Sequence, residues 1–348
     1  MTQDGLGRAV GLDRSAISRL EKGDRKVNVP ELVEIAVALG RPLTYFVAEA
    51  VPAVVSRRND IASAQATTHL LDTQLGMFAS DVRDLAAMGL LALPAPAPTL
   101  RVPRDHAEAE RAAAAVRQHL GLGGHPIADL GQACERTGLF TFSCPLGENG
   151  PDGGFVEVMG PLGAAVVNGD APPGRRRMTL AHELGHHAFG DAYDAEASRD
   201  SERMINSFAI HFLAPRTGVR QMWDQHRDWG IRDRALVVGA TFKLSWSATV
   251  GQLVNLELIS QDARQQLSDD QPRSGDYARL GVRWSDELDP PYLSPRLTSE
   301  VLNAFVQGRL TRVRTIELLR GTLVEQDLPD QELPRLEDLR TAFAGHDG

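Results

Sequence analysis

The segment PAPAPTLRVP, from Pro94 to Pro103, constrains the fold more than any other stretch of this 348-residue chain. Proline fixes φ and has no amide hydrogen, so alternating prolines interrupt a helix and favour a stiff, extended connection. We therefore predict a domain boundary here, with residues 51–103 forming a long helix followed by the linker. Because 42% hydrophobic and 24% charged residues are typical of globular proteins, we expect both sides of the linker to fold.

Residues 1–50 are expected to form a small all-helical domain. Apolar residues from Leu6 to Val10 follow helical spacing, and Asp13 is placed to cap a second helix that Gly23 ends. A third helix is predicted after Pro30, again with apolar residues three and four positions apart.

A heptad pattern follows, in which apolar or small residues alternate steps of three and four: Ile61, Ala64, Thr68, Leu71, Leu75, Phe78, Val82 and Leu85. Such a seam is typical of a long helix that pairs with another helix. Two interpretations stay open. The helix over residues 61–85 could form a homodimer, or its seam could pack on the protein's own domain.

After the linker, the order of elements predicts an α+β domain over residues 104–228. Helices are predicted first, then a small sheet, then helices again: helices at Asp105–Leu120 and Leu130–Gly138, strands at Leu139–Phe142, Gly154–Val158 and Ala164–Val167, and a helix from Arg177. Residues 229–348 are predicted to form a mainly helical C-terminal domain whose start is similar to a helix-turn-helix: Arg234–Leu244, then Ser247–Leu258.

The segment MTLAHELGHHAFG carries the residues to which we assign the chemistry. His182, Glu183 and His186 stand in HExxH order on a predicted helix, where residues four apart share one face and both imidazoles can reach one ion. Zinc held in this way lowers the pKa of a bound water towards about 7, and Glu183 can take the proton of that water. The strand Ala164–Val167 is expected to lie at the edge of the sheet and hold an extended peptide there.

A third metal ligand is expected from the following helix, Arg199–Arg216, where Glu202 and Asn206 share a face. We choose Glu202. His187 lies off the ligand face and is expected to support the ligands or lie at the surface. Three competitors for the third ligand stay open: His211, Glu196 and Asp200.

Residues 104–225 resemble the ImmA/IrrE family of metallopeptidases. The resemblance lies in RRRMTLAHELGHH, in AAVVN before it and in SERMINSFAIHFLAP after it. It implies a thermolysin-like zincin that binds Zn²⁺, with Mn²⁺ as an alternative, and cleaves a repressor. Glu202 matches the family's third zinc ligand, whereas Met204 and Ile205 differ from the residues usual there.

The first 47 residues resemble the Cro/repressor type of helix-turn-helix in the XRE family, through the segment TQDGLGRAVGLDRSAISRLEKGDRK and the helix after it. The usual first helix of that family is not visible. The resemblance makes Asp13–Lys22 the recognition helix and implies a set of DNA contacts: Arg14, Ser15 and Ser18 to base edges, and Arg19 and Lys22 near phosphates. A protein-interaction module without DNA contact is the other interpretation.

The fold prediction is therefore an α+β multidomain chain: an all-α helix-turn-helix module, a long helix and linker, a thermolysin-like zincin domain with a small sheet, and a mainly helical C-terminal domain. Cys134 and Cys144 have no CxxC spacing, which argues against a cysteine zinc site. With a net charge of -9, any DNA contact should be local. Without a signal peptide or an apolar run of spanning length, we expect a cytoplasmic location and no membrane association.

The function we predict is zinc-dependent endoproteolysis of a helix-turn-helix repressor, which would control transcription in a stress response or a mobile element. Tyr193 and His211 are candidate stabilisers of the oxyanion. Two alternatives involve no proteolysis. One is a transcription regulator whose zincin-like domain senses a metal or ligand, and the other is an antitoxin-like module that binds a partner protein.

Overall fold

The structure is a computed structural model that describes residues 2–39, 43, 46, 65–95, 98, 100–190, 199–282 and 286–331. The chain divides into two compact units, residues 1–51 and residues 52–348. Among the helices within the described ranges, none is both long and apolar enough to cross a membrane.

Over residues 2–39, the first unit contains three short helices, each begun by a polar cap. The side chains of Thr2, Asp13 and Asn28 accept hydrogen bonds from the first backbone N–H groups of these helices, which are α1 (Gln3–Ala9), α2 (Arg14–Glu21) and α3 (Val29–Ala38). A small core of Val10, Ile17 and Ile35 joins them. The three predicted helices of this unit are confirmed.

In the described part of the second unit, the first helix is α4 (Gln65–Ala87), and four strands form one sheet. The described α-helices after α4 are α5 (His106–His119), α6 (Leu130–Glu135), α7 (Pro173–Phe189), α8 (Arg199–Leu213), α9 (Arg216–Gln225), α10 (Ile231–Phe242), α11 (Trp246–Asn255), α12 (Gln261–Asp269), α13 (Ser274–Arg279), α14 (Pro295–Val306) and α15 (Arg312–Leu319). The strands are β1 (Leu139–Cys144), β2 (Gly153–Met159), β3 (Leu162–Asn168) and β4 (Tyr292–Leu293). The α+β architecture predicted from the sequence is confirmed.

The sheet has the order β2-β3-β1-β4. Strand β3 pairs with β1 in parallel and with β2 in antiparallel orientation, so both of its edges already carry hydrogen bonds. The prediction that Ala164–Val167 lies at an edge of the sheet is therefore wrong. Within the described sheet, β2 and β4 are the outer strands.

Helices cover both faces of this sheet. Leu139, Phe155 and Val167 belong to the core that includes Leu180 and Leu184 of α7. On the other face, the ring of Phe142 lies 5.8 Å from that of Phe78 in α4. This alternation follows from the pleat, because successive side chains of a strand point to opposite faces.

The heptad seam of α4 packs on the chain's own sheet. The five seam residues from Leu71 onward are completely buried within this unit: Leu71, Leu75, Phe78, Val82 and Leu85. The side chain of Thr68 lies outside the described part of the structure. Helix α4 contacts both β2 and β3. Of the two interpretations of the seam, the structure favours intramolecular packing, and it gives no support to a homodimer because the apolar face is already covered. Ile61 and Ala64 lie outside the described residues.

Residues 286–293, which we call the C-terminal segment, complete the described sheet and contact the start of α7. Strand β4 pairs antiparallel with β1. Arg176 of α7 contacts Asp286 at 2.7 Å and Asp289 at 3.1 Å, and Arg177 forms an ion pair with Glu287. One hydrophobic core extends from Ala109 to Leu288. The boundaries that we placed at residues 103/104 and 228/229 stay predictions.

Candidate metal centre

Helix α7 carries the HExxH residues and begins at Pro173, four residues before the start predicted at Arg177. Proline suits the first turn of a helix, where its missing N–H would have no intrahelical partner. The helix ends at Gly190, whose φ of 63° is the left-handed conformation that glycine adopts without a steric cost.

Helix α8 crosses α7 closely enough to bring a third ligand to the histidines. The close approach requires Gly185, because a Cβ there would lie 2.9 Å from Ile205 and 3.1 Å from Phe208. Met204 and Ile205, which differ from the usual family residues, are both buried and so fill the packing side of α8. The two unusual residues therefore do not change the face of α8 that carries Glu202 and Asn206.

Three potential metal-binding groups converge between α7 and α8: His182, His186 and Glu202. The Nε2 atoms of His182 and His186 are 3.1 Å apart. Glu202 places Oε2 3.3 Å from Nε2 of His182 and Oε1 3.6 Å from Nε2 of His186. Both histidines are buried, and the Glu202 side chain keeps 32% exposure, so the cluster is reached from one side.

These separations fit a tetrahedral ion. Nitrogen and oxygen ligands lie about 2.0–2.2 Å from zinc, which places them about 3.3–3.6 Å from one another. The three measured separations are 3.1, 3.3 and 3.6 Å. Two imidazoles and one carboxylate also form a donor set that suits zinc and leaves a coordination position for substrate or water.

Asn206 fixes the orientation of His182. Its Oδ1 lies 3.2 Å from Nδ1 of His182, while its Nδ2 donates to the carbonyl oxygen of Glu202 at 2.8 Å. Because the amide nitrogen is committed to that carbonyl, Oδ1 accepts a hydrogen bond from Nδ1–H of His182. The Nε2 atom of His182 is then the unprotonated nitrogen that faces the cluster.

Glu183 follows His182 directly and is completely buried. On a helix, successive residues are about 100° apart, so Glu183 projects to the side of the face that carries His182 and His186. This is the placement that the HExxH pattern predicts for a group acting beside the ion.

His187 contacts the sheet. Its Nε2 lies 3.0 Å from the carbonyl oxygen of Thr137, and its ring packs edge-on against Phe155. Burial lowers the pKa of His187, although the hydrogen bond to Thr137 opposes that shift. His187 therefore contributes to packing behind the cluster.

The structure does not bring His211 to the cluster. It lies nine residues after Glu202 on α8, which places it on the opposite face and about 14 Å along the helix. Its Nδ1 lies 3.2 Å from the amide nitrogen of Gln252. Asp200 is exposed and lies 3.4 Å from Arg203, whereas Tyr193 and Glu196 lie outside the described residues.

The candidate DNA contacts share one face of α2. Ala16 and Ile17 are buried on the opposite side. Four of the five predicted contact residues are exposed: Arg14, Ser15, Arg19 and Lys22. The fifth, Ser18, is half-buried. Asp13 accepts hydrogen bonds from the Ser15 hydroxyl at 2.7 Å and from the Ala16 amide at 2.6 Å, which fixes the start of the helix.

The sequence predicts the three residues of the cluster but not the groups that support them. It indicates only that Asn206 shares a face with Glu202, through the four-residue spacing of the two. The contacts of Arg176 and Arg177 with the segment after residue 285 had no local signal, since the partners are more than 100 residues apart.

Two family models match the chain. A helix-turn-helix model matches residues 1–46, and a model of the IrrE N-terminal-like domain matches residues 134–250, which include the whole cluster. Both resemblances noted in the sequence are thereby confirmed. No curated protein and no solved structure matches the chain.

Proposed function

We propose that this chain, in which an XRE-type helix-turn-helix accompanies a domain of the ImmA/IrrE type, is a metal-dependent endopeptidase that cleaves a helix-turn-helix repressor. The observation that carries the proposal is the convergence of His182, His186 and Glu202, with the buried Glu183 next to His182 on the same helix. We propose zinc as the metal and manganese as a possible substitute.

Each residue has a distinct role in this proposal. The two histidines and Glu202 hold the ion, which when bound acts as a Lewis acid towards a carbonyl and lowers the pKa of water. Glu183 accepts a proton from the attacking water and delivers it to the departing amine nitrogen. Asn206 keeps the His182 ring in the tautomer that leaves Nε2 available.

Strand β2 is the element that we propose binds the substrate chain. It is an outer strand of the described sheet, and it also contacts α7. An extended peptide can add to such a strand through backbone hydrogen bonds, which provide affinity without a demand on sequence. This arrangement moves the substrate edge from β3, where we first placed it, to β2.

The helix-turn-helix supports a regulatory protein as the substrate. The exposed basic residues of α2 form a local surface for DNA in a chain of net charge -9. A peptidase that binds DNA is concentrated near DNA-bound proteins, so a repressor is the substrate class that this combination favours.

The test compares the wild-type protein with Glu183→Gln. Glutamine preserves size but cannot act as a general base, so we expect metal retention with cleavage reduced by a factor of about 10² to 10⁴. Both proteins would be incubated with zinc or manganese and the helix-turn-helix repressor encoded nearest to the gene. Glu317→Gln, the same change at a half-exposed side chain, is the matched control.

The outcomes separate the candidate functions. Cleavage by wild type and by Glu317→Gln, but not by Glu183→Gln, would support the peptidase. Equal cleavage by all three proteins would exclude Glu183 as the base. Metal retention without cleavage would favour the regulator whose zincin-like domain senses a metal or ligand.

A further inference from the structure

A cavity of about 470 Å³ opens beside the C-terminal end of α7. His187, Ala188 and Gly190 contribute to its wall, but none of the three cluster residues lines it, and neither does Glu183. Its volume lies within the range of about 300–1,000 Å³ that is typical of sites for small organic molecules. The cavity is therefore a candidate binding site separate from the metal centre.

The walls of the cavity are mainly apolar and come from several elements. Val116 of α5 and Phe155 of β2 are buried residues of the main core, while Leu93, at 61% exposure, lies in the segment after α4. A hydrocarbon body placed among these residues would be removed from water where it contacts them. Such burial of apolar surface is favourable at roughly 25 cal/mol per Å².

Glu157 supplies a carboxylate to this apolar wall. Within the described part of the chain, the side chains of Glu157 and His119 make no hydrogen bond or ion pair, although both residues line the cavity. The third ionisable group, His187, already uses Nε2 in its contact with Thr137. With histidine neutral at pH 7, the one lining side chain with a formal charge is the acceptor Glu157, which favours a ligand that carries donors and a positive charge.

We propose that this cavity binds a small organic amine, with its apolar body between Val116, Phe155 and Leu93 and its ammonium group on Glu157. Phe155 and Glu157 belong to β2, and His187 and Ala188 belong to α7. Such a ligand would therefore contact the outer strand β2 and also α7, the helix that carries His182 and His186. It would not contact the three cluster residues.

The test uses three probes that share an indole ring and differ in charge: tryptamine, indole and indole-3-propionate. Each would be titrated against the full-length protein, with binding followed by ligand-observed NMR. We expect tryptamine to bind most tightly and indole-3-propionate most weakly. Glu157→Gln is expected to weaken tryptamine binding about tenfold and to change indole binding less than twofold.

A second variant fills the cavity without affecting its charge. At Gly160, which lines the cavity, an added Cβ would meet only the Oε1 atom of Glu157, at the ordinary contact distance of 3.8 Å. Gly160→Phe is therefore expected to fold and to abolish binding of tryptamine and indole. Gly275→Phe is the matched control, because a Cβ at Gly275 meets nothing within 4 Å and the residue does not line the cavity.

Three results would overturn the proposal. They are the absence of tryptamine binding to wild type, equal affinity for tryptamine and indole-3-propionate, and tryptamine binding that survives Gly160→Phe. None of these readouts depends on proteolysis, so failure of the amine site and failure of the peptidase proposal remain distinguishable.

Discussion

Replacing Glu287 by glutamine is expected to destabilise the second unit by about 3–5 kcal/mol, because it removes the ion-pair partner of the buried Arg177. The Arg177 side chain is only 1% exposed and that of Glu287 only 13% exposed. Burial lowers the pKa of Arg177 to about 10, which still leaves the guanidinium charged at neutral pH. The cost of the uncompensated charge should therefore appear in the free energy of unfolding.

Glutamine isolates the charge from the other contacts of this side chain. The Oε1 atom of Glu287 accepts a hydrogen bond from the Leu130 amide at 3.0 Å, and an amide oxygen can accept the same bond. Lys243, 3.5 Å from Oε2, is the second cation that loses its partner. The change in stability therefore reports mainly the two positive charges.

Asp286→Asn is the matched control one residue away. The Asp286 side chain is 63% exposed, and its partner Arg176 keeps Asp289 and the Gly169 carbonyl oxygen as acceptors. Solvent screening limits such a pair to about 0–1 kcal/mol. The two substitutions make the same chemical change, and they differ in the burial of the carboxylate and in the second acidic partner that Arg176 keeps.

Urea unfolding of the full-length protein, at a fixed metal concentration, measures both variants. The midpoint of the transition should fall by the free-energy change divided by the slope of the wild-type transition. Combining Glu287→Gln with Arg177→Met should recover part of the loss, because the buried charge is then removed. A loss below about 1 kcal/mol for Glu287→Gln, or equal losses for both single variants, would refute the reasoning.

Three further predictions concern other parts of the chain. Asn206→Leu should weaken zinc binding about 10- to 100-fold in a chelator competition, because His182 loses the acceptor at its Nδ1; unchanged affinity would contradict that role. Leu75→Ala, in the completely buried seam, should cost about 2–5 kcal/mol in urea unfolding with a midpoint independent of protein concentration, whereas a dimer seam would give a concentration-dependent midpoint. Lys22→Ala should weaken DNA binding evenly across sequences and reduce the salt slope by about one, whereas Arg14→Ala should relax specificity by about 1–3 kcal/mol; unchanged binding in both would favour the protein-interaction module.

Local patterns in the sequence were enough to predict much of the candidate site. The four-residue spacing of His182 and His186 places both rings on one face of a helix, whereas the choice of Glu202 over its competitors was supported by the family resemblance. Helices and strands were predicted close to their observed positions where apolar periodicity was strong. These features depend on neighbours within a few residues.

The features that the sequence did not predict depend on distant partners. The run Ala164–Val167 has the same composition whether it lies at an edge or in the centre, and its central place follows from pairing with both β1 and β2. The seam of α4 fits a partner helix and a sheet equally well by periodicity alone. Only the tertiary arrangement decides between such alternatives.

The contact between α7 and the C-terminal segment also sets a time for assembly during synthesis. Arg176 and Asp286 are separated by 110 residues, so at about 5–20 residues per second the ribosome needs roughly 5–20 s to add the second after the first. Strand β4 follows a few residues later. During that interval the residues of α7 have been synthesised, but the acidic partners of Arg176 and Arg177 have not. The described sheet still lacks β4. A nascent chain would thus complete the four-stranded sheet only after Leu293 has been synthesised.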